Sequence, residues 1–385
     1  MILGIPKEIM HGENRVACTP ETVGKFVNDG FTVLVENHAG DGALYHDEDY
    51  LKAGAQMVAD AEIIYQNADL ILKVKEPLYN EAKQKHEVEM MHKGQYLITF
   101  IHPASPVNHE MVKKLTAQGV TAFTLDCIPR ISRAQSMDAL TSMSTCAGYK
   151  GIIMAADRMT SFIPQMFTAV GKIEPAKVMV IGVGVAGLQA LATAKRLGAV
   201  TYAADIRPMA AENAMSLGAK IVDTGVPAEL AVGEGGYAKA LPADVLIKER
   251  ELLKETICQM DIVFCSVLVP GELAPIIIEE DTVKKMKRGS VIVDIAIDQG
   301  GNCDITPKGE IEVKHGVTLI GVKNIPGELP TASTWMFSNN MYNLVKYMVK
   351  DDKIELNMLD EVIAKSLVCH DGELVHAGAR KAMGL

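Results

Sequence analysis

The sequence is short of the features that mark extracellular, membrane-spanning or nucleic-acid-binding proteins. Its seven cysteines are scattered, odd in number and include no C-x-x-C pair. That argues against a disulfide framework or a paired-cysteine zinc site and for reduced thiols in a cytoplasmic protein. No apolar run approaches the roughly 18–20 residues that a bilayer-crossing helix needs. Positive charge is in deficit, with a net charge of −10, which disfavours a nucleic-acid surface or an anionic-membrane patch. The chain opens on Met1-Ile2-Leu3-Gly4-Ile5, which reads as a strand rather than as a signal peptide. There is no tandem repeat or low-complexity tract. A single tryptophan beside 21 methionines describes a pliable core and carries no functional signal.

What is present is a regular alternation of strand and helix patterns over 385 residues, enough for two domains with parallel sheets covered by helices. The first set of strands is expected at Ile2 to Ile5, Thr32 to Glu36, Leu70 to Val74, Tyr96 to Ile101 and Val120 to Leu125, with helices such as Thr19 to Asp29 and Asn108 to Gln118 between them. The second set is expected at Val178 to Ile181, Val200 to Ala204, Lys220 to Val222, Ile262 to Val267, Val291 to Ile295 and Thr318 to Val322. Longer helices are expected at about Ser136 to Phe162 and Thr331 to Lys350. If both connect domains, the fold is α/β with two doubly wound parallel-sheet domains, the first discontinuous (1–135 plus 332–385) and the second 136–331. A cleft between them would receive the ligand. Val226 to Pro242 reads as too irregular for an element and as a candidate flap.

The second set begins with Lys177-Val178-Met179-Val180-Ile181-Gly182-Val183-Gly184-Val185-Ala186-Gly187. Gly182, Gly184 and Gly187 fit G-x-G-x-x-G, the strand-to-helix turn that lets backbone approach a pyrophosphate, and the helical run after it would aim free N–H groups at the phosphates. The next strand ends at Asp205, 18 residues past Gly187, where a carboxylate can accept hydrogen bonds from ribose hydroxyls and repel a 2′-phosphate. NAD(H) is therefore favoured over NADP(H), with Arg207 nearby moderating the preference. The second domain reads as a Rossmann dinucleotide-binding domain. Its candidate cofactor residues are Gly182, Gly184, Val185, Ala186 and Gly187, then Asp205, Ile206 and Arg207, then Val267 and Leu268 after a later strand. A glycine-rich turn of some other α/β protein is the plain alternative.

Beyond the fingerprint, the chain carries Gly4-Ile5-Pro6-Lys7-Glu8, Arg15-Val16-Ala17, Lys73-Val74-Lys75-Glu76-Pro77, Val269-Pro270-Gly271 and Gly289-Ser290-Val291-Ile292-Val293-Asp294. With these it resembles the alanine dehydrogenase and NAD(P) transhydrogenase α-subunit family over nearly its whole length. The resemblance implies NAD(H) binding in the second domain and a homo-oligomer, a dimer or hexamer. Marks of both branches occur. Pro129 to Asp138 resembles the transhydrogenase loop at the nicotinamide face, which makes Arg130, Gln135 and Asp138 the matching positions. Gly235-Gly236-Tyr237-Ala238-Lys239 resembles the flap of that branch, with Tyr237 as its closing residue. The segment Gly171 to Lys177 and the tail Asp371 to His376 point the same way. Lys75, His102 and Asp298 stand where alanine dehydrogenase keeps its catalytic groups, and Arg15 is common to both branches.

The residues can be read as chemistry on either branch. Oxidising an amino acid moves a proton while hydride leaves Cα. An imidazole near its ordinary pKa of ~6.5 can serve as that acid/base, and His102 follows an apolar strand where open α/β sheets face their ligand. Arg15 and Lys75 could clamp a carboxylate and polarise a carbonyl oxygen. Asp298 could orient the histidine or stabilise a cation. Each residue alone also reads as a structural histidine, a solvated lysine or a turn acid. Hydride exchange between two nicotinamides needs no proton at carbon, only positioning, a task for Arg130, Gln135 and Asp138; their plain alternative is a polar linker leading into a helix. The reading favoured is the NAD(H)-binding α-subunit of a proton-translocating NAD(P) transhydrogenase, with membrane and NADP(H)-binding partner subunits and a place at the inner membrane's periphery through them. The alternatives are a stand-alone dehydrogenase for a small amino acid or 2-oxo acid, and an NAD(H)-sensing binding module.

Overall fold

The computed structural model describes residues 1–233, 238–269 and 273–385. In chain order its main strands are β1 (Ile2–Ile5), β2 (Thr32–Glu36), β3 (Gln56–Val58), β4 (Leu70–Leu72), β5 (Tyr96–Thr99) and β6 (Thr121–Thr124), then β7 (Lys177–Ile181), β8 (Val200–Ala204), β9 (Lys220–Ile221), β10 (Ile262–Cys265), β11 (Val291–Asp294), β12 (Ile311–Lys314) and β13 (Val317–Ile320), and last β14 (Leu367–His370) and β15 (Glu373–Leu374). The chain forms two compact units, residues 1–143 with 327–385, and residues 144–326. The first join falls inside the long helix Ala139–Arg158; the second lies just before the helix Pro330–Met348.

The first unit is built on one sheet, β15-β14-β6-β5-β4-β1-β2-β3. β1 to β6 pair in parallel, while the returning β14 pairs antiparallel with β6, and β15 with β14. The helix Pro20–Asn28 starts where its sequence says it should. Thr19 Oγ1 accepts the Thr22 N–H and Pro20 fills the first turn, where an N–H is not needed. The helix His109–Gln118 lays Met111, Val112 and Leu115 on Leu97, Val120 and Ala122 of the sheet, and Val368 and Cys369 of β14 join that core.

The second unit carries the sheet β9-β8-β7-β10-β11-β13-β12, parallel except for the edge strand β12. Strand order therefore steps outward one way from β7 and returns to continue on its other side, the doubly wound order that leaves a switch point beside β7. Strand residues alternate between two cores. Val178 and Val180 face Ala147, Ile152 and Ala190; Met179 and Ile181 face Leu253 and Ile257 of the helix Ala243–Cys258. Both faces are covered, which is why these strands read as continuous apolar runs.

The expected fold class holds, with both sheets largely parallel and antiparallel only at an edge. Two expectations change. The long helix does not begin at Ser136: residues 132–137 form a 3₁₀ segment and the α-helix spans Ala139–Arg158. Within Val226 to Pro242 a short helix, Ala228–Ala231, and a Val232–Ala238 bridge are present.

Candidate functional site

In the second unit the three glycines of the turn do three different things. Gly182 sits at φ +84, where an added Cβ would lie 2.8 Å from the Ser266 carbonyl. A side chain at Gly187 would collide with the Gly182 carbonyl oxygen, so the helix Val185–Arg196 packs onto the strand only with glycine there. Gly184, by contrast, has nothing within 4 Å of where a Cβ would stand. It is the N-cap of the helix and offers no side-chain cap, so the first N–H groups, those of Val185, Ala186 and Gly187, lack intrahelical acceptors. Open space in front of unsatisfied N–H groups at a helix N-terminus fits a pyrophosphate.

The walls of this turn are fixed by Asn302 and Ser266, which the sequence did not single out, and by Asp294 of the Gly289–Asp294 motif. Asn302 is wholly buried. Its side chain accepts the Val267 N–H at 2.9 Å and donates to the carbonyls of Val267 and Pro275. Asp294 in turn accepts the N–H groups of Ala296, Asn302 and Cys303, and Ser266 Oγ donates to the Gly182 carbonyl at 2.6 Å. Val267 is thus clamped at both its amide groups, with Leu268 partly exposed after it. Such an Asn is recognisable only once β10 and the loop after β11 are seen side by side.

Asp205 ends β8 as expected, but its acceptor positions are filled by protein. Oδ2 takes the Val183 N–H at 2.6 Å and Arg207 Nη2 at 2.8 Å; Oδ1 takes the Arg207 N–H and Nε at 2.8 and 3.0 Å. A carboxylate has about four acceptor positions, so here Asp205 ties its strand to the glycine turn. A ribose hydroxyl can bind it only by displacing one of these donors. Ile206, between the two, is half-buried.

In the first unit the imidazole of His102 is held by a partner the sequence did not reveal. Asp126 Oδ1 lies 2.6 Å from His102 Nδ1, and Oδ2 accepts the His102 N–H at 2.7 Å and the hydroxyl of Thr124. His102 has φ +47, an uncommon conformation for a non-glycine residue, and stacks on Phe100 with ring centroids 5.9 Å apart. Burial disfavours its charged form, but the Asp126 carboxylate outweighs burial and raises the imidazole's pKa. Burial likewise pushes Asp126 upward, and His102 with the hydrogen bonds reverses this and holds it down at about 2. Nδ1 being engaged, Nε2 is the nitrogen open to a reactant. From the C-terminal segment, His376 Nε2 approaches Cys127 Sγ at 3.4 Å.

Arg15 is buried, its guanidinium forked onto Glu13 at 2.6 and 2.7 Å, with Nη1 on Met143 Sδ. Lys75 is half-buried on the loop after β4; its charge acts on Glu13 and on His102, so Arg15, Lys75 and His102 share one electrostatic neighbourhood in this unit. Asp298 belongs to the second unit, exposed on the 3₁₀ turn Ile297–Gln299 after β11. Arg130 and Gln135 are exposed. Asp138 is buried and caps the long helix, accepting the Thr141 N–H at 2.8 Å and its hydroxyl at 2.6 Å. Tyr237 lies outside the described residues.

Against known proteins, residues 4–147 match the alanine dehydrogenase/PNT N-terminal domain and residues 151–377 the C-terminal domain of the same family. The chain is 41% identical over 379 residues to an NAD(P) transhydrogenase subunit alpha chain of Rhodospirillum rubrum, covering 98% of each. It is 32% identical over 393 residues to an alanine dehydrogenase of Staphylococcus haemolyticus, covering 100% of this chain and 97% of that one. The crystal structure of a transhydrogenase from Sinorhizobium meliloti superposes with a TM-score of 0.85 at 36% identity, covering 97% of this chain and 100% of that one. The glycine turn, its clamped wall and this full-length correspondence place the chain in the alanine dehydrogenase/PNT family, as an NAD(H)-binding oxidoreductase.

Proposed function

We propose that this chain is the NAD(H)-binding α-subunit of an NAD(P) transhydrogenase, exchanging hydride with NADP(H) held by a separate, membrane-bound partner. The observation that carries this reading is the full-length correspondence, 41% identity over 379 residues to a transhydrogenase subunit alpha against 32% over 393 residues to an alanine dehydrogenase. Among the described residues no helix is long and apolar enough to cross a membrane; in this reading the membrane-bound partner conducts the protons. Bound NAD(H) supplies or accepts the hydride. The chain's own work is to hold the pyrophosphate at Gly182–Gly187 and to present a ring to a second ring at roughly 3–3.5 Å. Arg130 and Gln135 are exposed for that contact, and Asp138 serves by fixing the start of the helix behind them. The assembly would sit in the cytoplasm against the inner membrane through its partners.

Purified alone, the protein should bind NADH without turnover. Adding the NADP(H)-binding partner should start hydride exchange, and Gln135→Asn should slow that exchange without lowering the melting temperature. Exchange that proceeds equally in the variant removes Gln135 from the docking face.

One observation favours a second reading. The His102–Asp126 pair, with Lys75 acting on it, is the arrangement an amino-acid dehydrogenase needs for proton transfer. In that case NADH, pyruvate and ammonium should give turnover that His102→Ala abolishes. Silence over a panel of small amino acids and 2-oxo acids rejects it.

A further inference from the structure

Among the described residues, one group of metal-ligating side chains stands apart from both sites. It lies in the turn that leaves β2 and enters the short helix Asp47–Lys52. His38 Nδ1 faces Asp41 Oδ2 at 3.0 Å and Asp47 Oδ2 at 3.9 Å; these three donors lie within 4.8 Å of one another. His46 Nδ1 faces the other Asp41 oxygen at 3.4 Å. We propose that this loop binds a divalent transition-metal ion of the zinc class through His38, Asp41 and Asp47, with His46, which faces the other Asp41 oxygen, turning onto the ion as the fourth ligand.

The donor set and the spacing both point there. Tetrahedral zinc with bonds of about 2.0–2.1 Å to nitrogen and oxygen sets its ligand atoms roughly 3.3 Å apart, and the separations of 3.0 and 3.9 Å from His38 Nδ1 to Asp41 and Asp47 straddle that value. Two carboxylates neutralise a dication. Two imidazole nitrogens select zinc, cobalt or nickel over magnesium or calcium, which take oxygen donors and retain water. His46 also serves as the N-cap of the helix Asp47–Lys52, but neither ring is packed, the His38 and His46 side chains being 66% and 69% exposed. Asp41 is the hub, with one oxygen toward each ring. Asp47 holds the frame by accepting the His38 N–H at 2.8 Å on Oδ1, which leaves Oδ2 turned toward the ring. Solvent exposure gives the ion a way in.

Full-length protein stripped with chelator and dialysed should be titrated with zinc chloride in a calorimeter, with magnesium chloride as the control. One saturable zinc equivalent per chain is expected, and no saturation with magnesium. The double variant His38→Gln/His46→Gln should lose at least ~tenfold in zinc affinity, and Asp41→Asn, which keeps both rings, should lose affinity too. NADH binding should be unchanged in all three proteins, which separates this outcome from misfolding. Thiols and histidines elsewhere are identical in the variants. Zinc binding of equal stoichiometry and affinity in the double variant, or no saturable zinc binding by the parent protein, overturns the proposal.

Discussion

His102 occupies left-handed backbone and is held there by one carboxylate acting on both its amide and its ring. The pair stabilises the fold while both partners are charged. Asp126, held down at about 2, contributes above the ordinary carboxylate value near ~3.9 and loses that contribution as the pH falls through its folded value. His102, raised above its ordinary ~6.5, contributes fully below that value and loses the contribution as the pH rises through its folded pKa. Asp126→Asn removes the carboxylate and leaves burial, so the His102 titration followed by NMR should move downward. The variant should also lose stability by about 1–3 kcal/mol near pH 6, and less once the pH has risen through the folded His102 pKa. An unmoved titration rejects Asp126 as the source of the shift. The sequence offers His102 as an imidazole after an apolar run, but Asp126 in Thr124-Leu125-Asp126-Cys127 has no local mark. Its role comes from register: β5 and β6 pair Thr99 with Thr124, which sets the residues after the two strands side by side. Arg15 shows the converse. Its residue type suggested a carboxylate clamp, and the carboxylate it clamps is two residues away, on Glu13.

Elements were legible where one short-range rule governs them. β1, β2 and β8 begin and end where their apolar runs do, because strands buried on both faces leave no polar interruption. β14 and β12 were not, since an antiparallel edge strand is fixed by a neighbour far away in sequence rather than by its own pattern. The glycine turn is the element where sequence and structure can be tested against each other. Gly184→Ala meets nothing within 4 Å, so the fold should be intact while the added methyl occupies the space for the pyrophosphate. Calorimetry should show NADH binding weakened ~tenfold or more at an unchanged melting temperature. Gly187→Ala drives a methyl against the Gly182 carbonyl and should lower both binding and melting temperature. If the two variants behave alike, the separate roles of these glycines are wrong. The loop after β4 supplies another case. Glu8 accepts the Val74 N–H at 2.6 Å, Glu87 accepts the Leu78 N–H at 2.8 Å, and the buried Lys73 ammonium joins them at 3.3 and 3.0 Å. Burial, only partly offset by Lys73, pushes Glu8 up to about 7. The folded state therefore holds a proton that the unfolded chain releases near 4.5, and stability should decline as the pH rises from there to about 7. Glu8→Gln should flatten that decline in urea titrations across the range; an unchanged slope assigns it to another group.

At the scale of the whole molecule, the two α/β units and the dinucleotide turn were visible in the alternation and the glycine spacing. The filled acceptor shell of Asp205 was not, because Arg207 reads in sequence as a neighbour rather than a ligand. The homo-oligomer that the family resemblance implies has a physical handle in the hairpin formed by Met166–Thr168 and Gly171–Ile173. A two-stranded hairpin is marginal by itself in water, yet this one exposes Phe167 at 74% and Val170 at 98%, with Phe162 at 52% close by in sequence. Exposed apolar side chains on one short hairpin fit a surface that becomes covered, and the implied homo-oligomer would cover it with a second copy of the chain. Phe167→Ser with Val170→Ser removes apolar area without touching either candidate site. Sedimentation equilibrium should then show the parent protein as an oligomer and the double variant shifted toward the monomer, with NADH binding per chain retained. A variant that sediments like the parent protein would put the interface elsewhere, and a monomeric parent would remove the oligomer altogether.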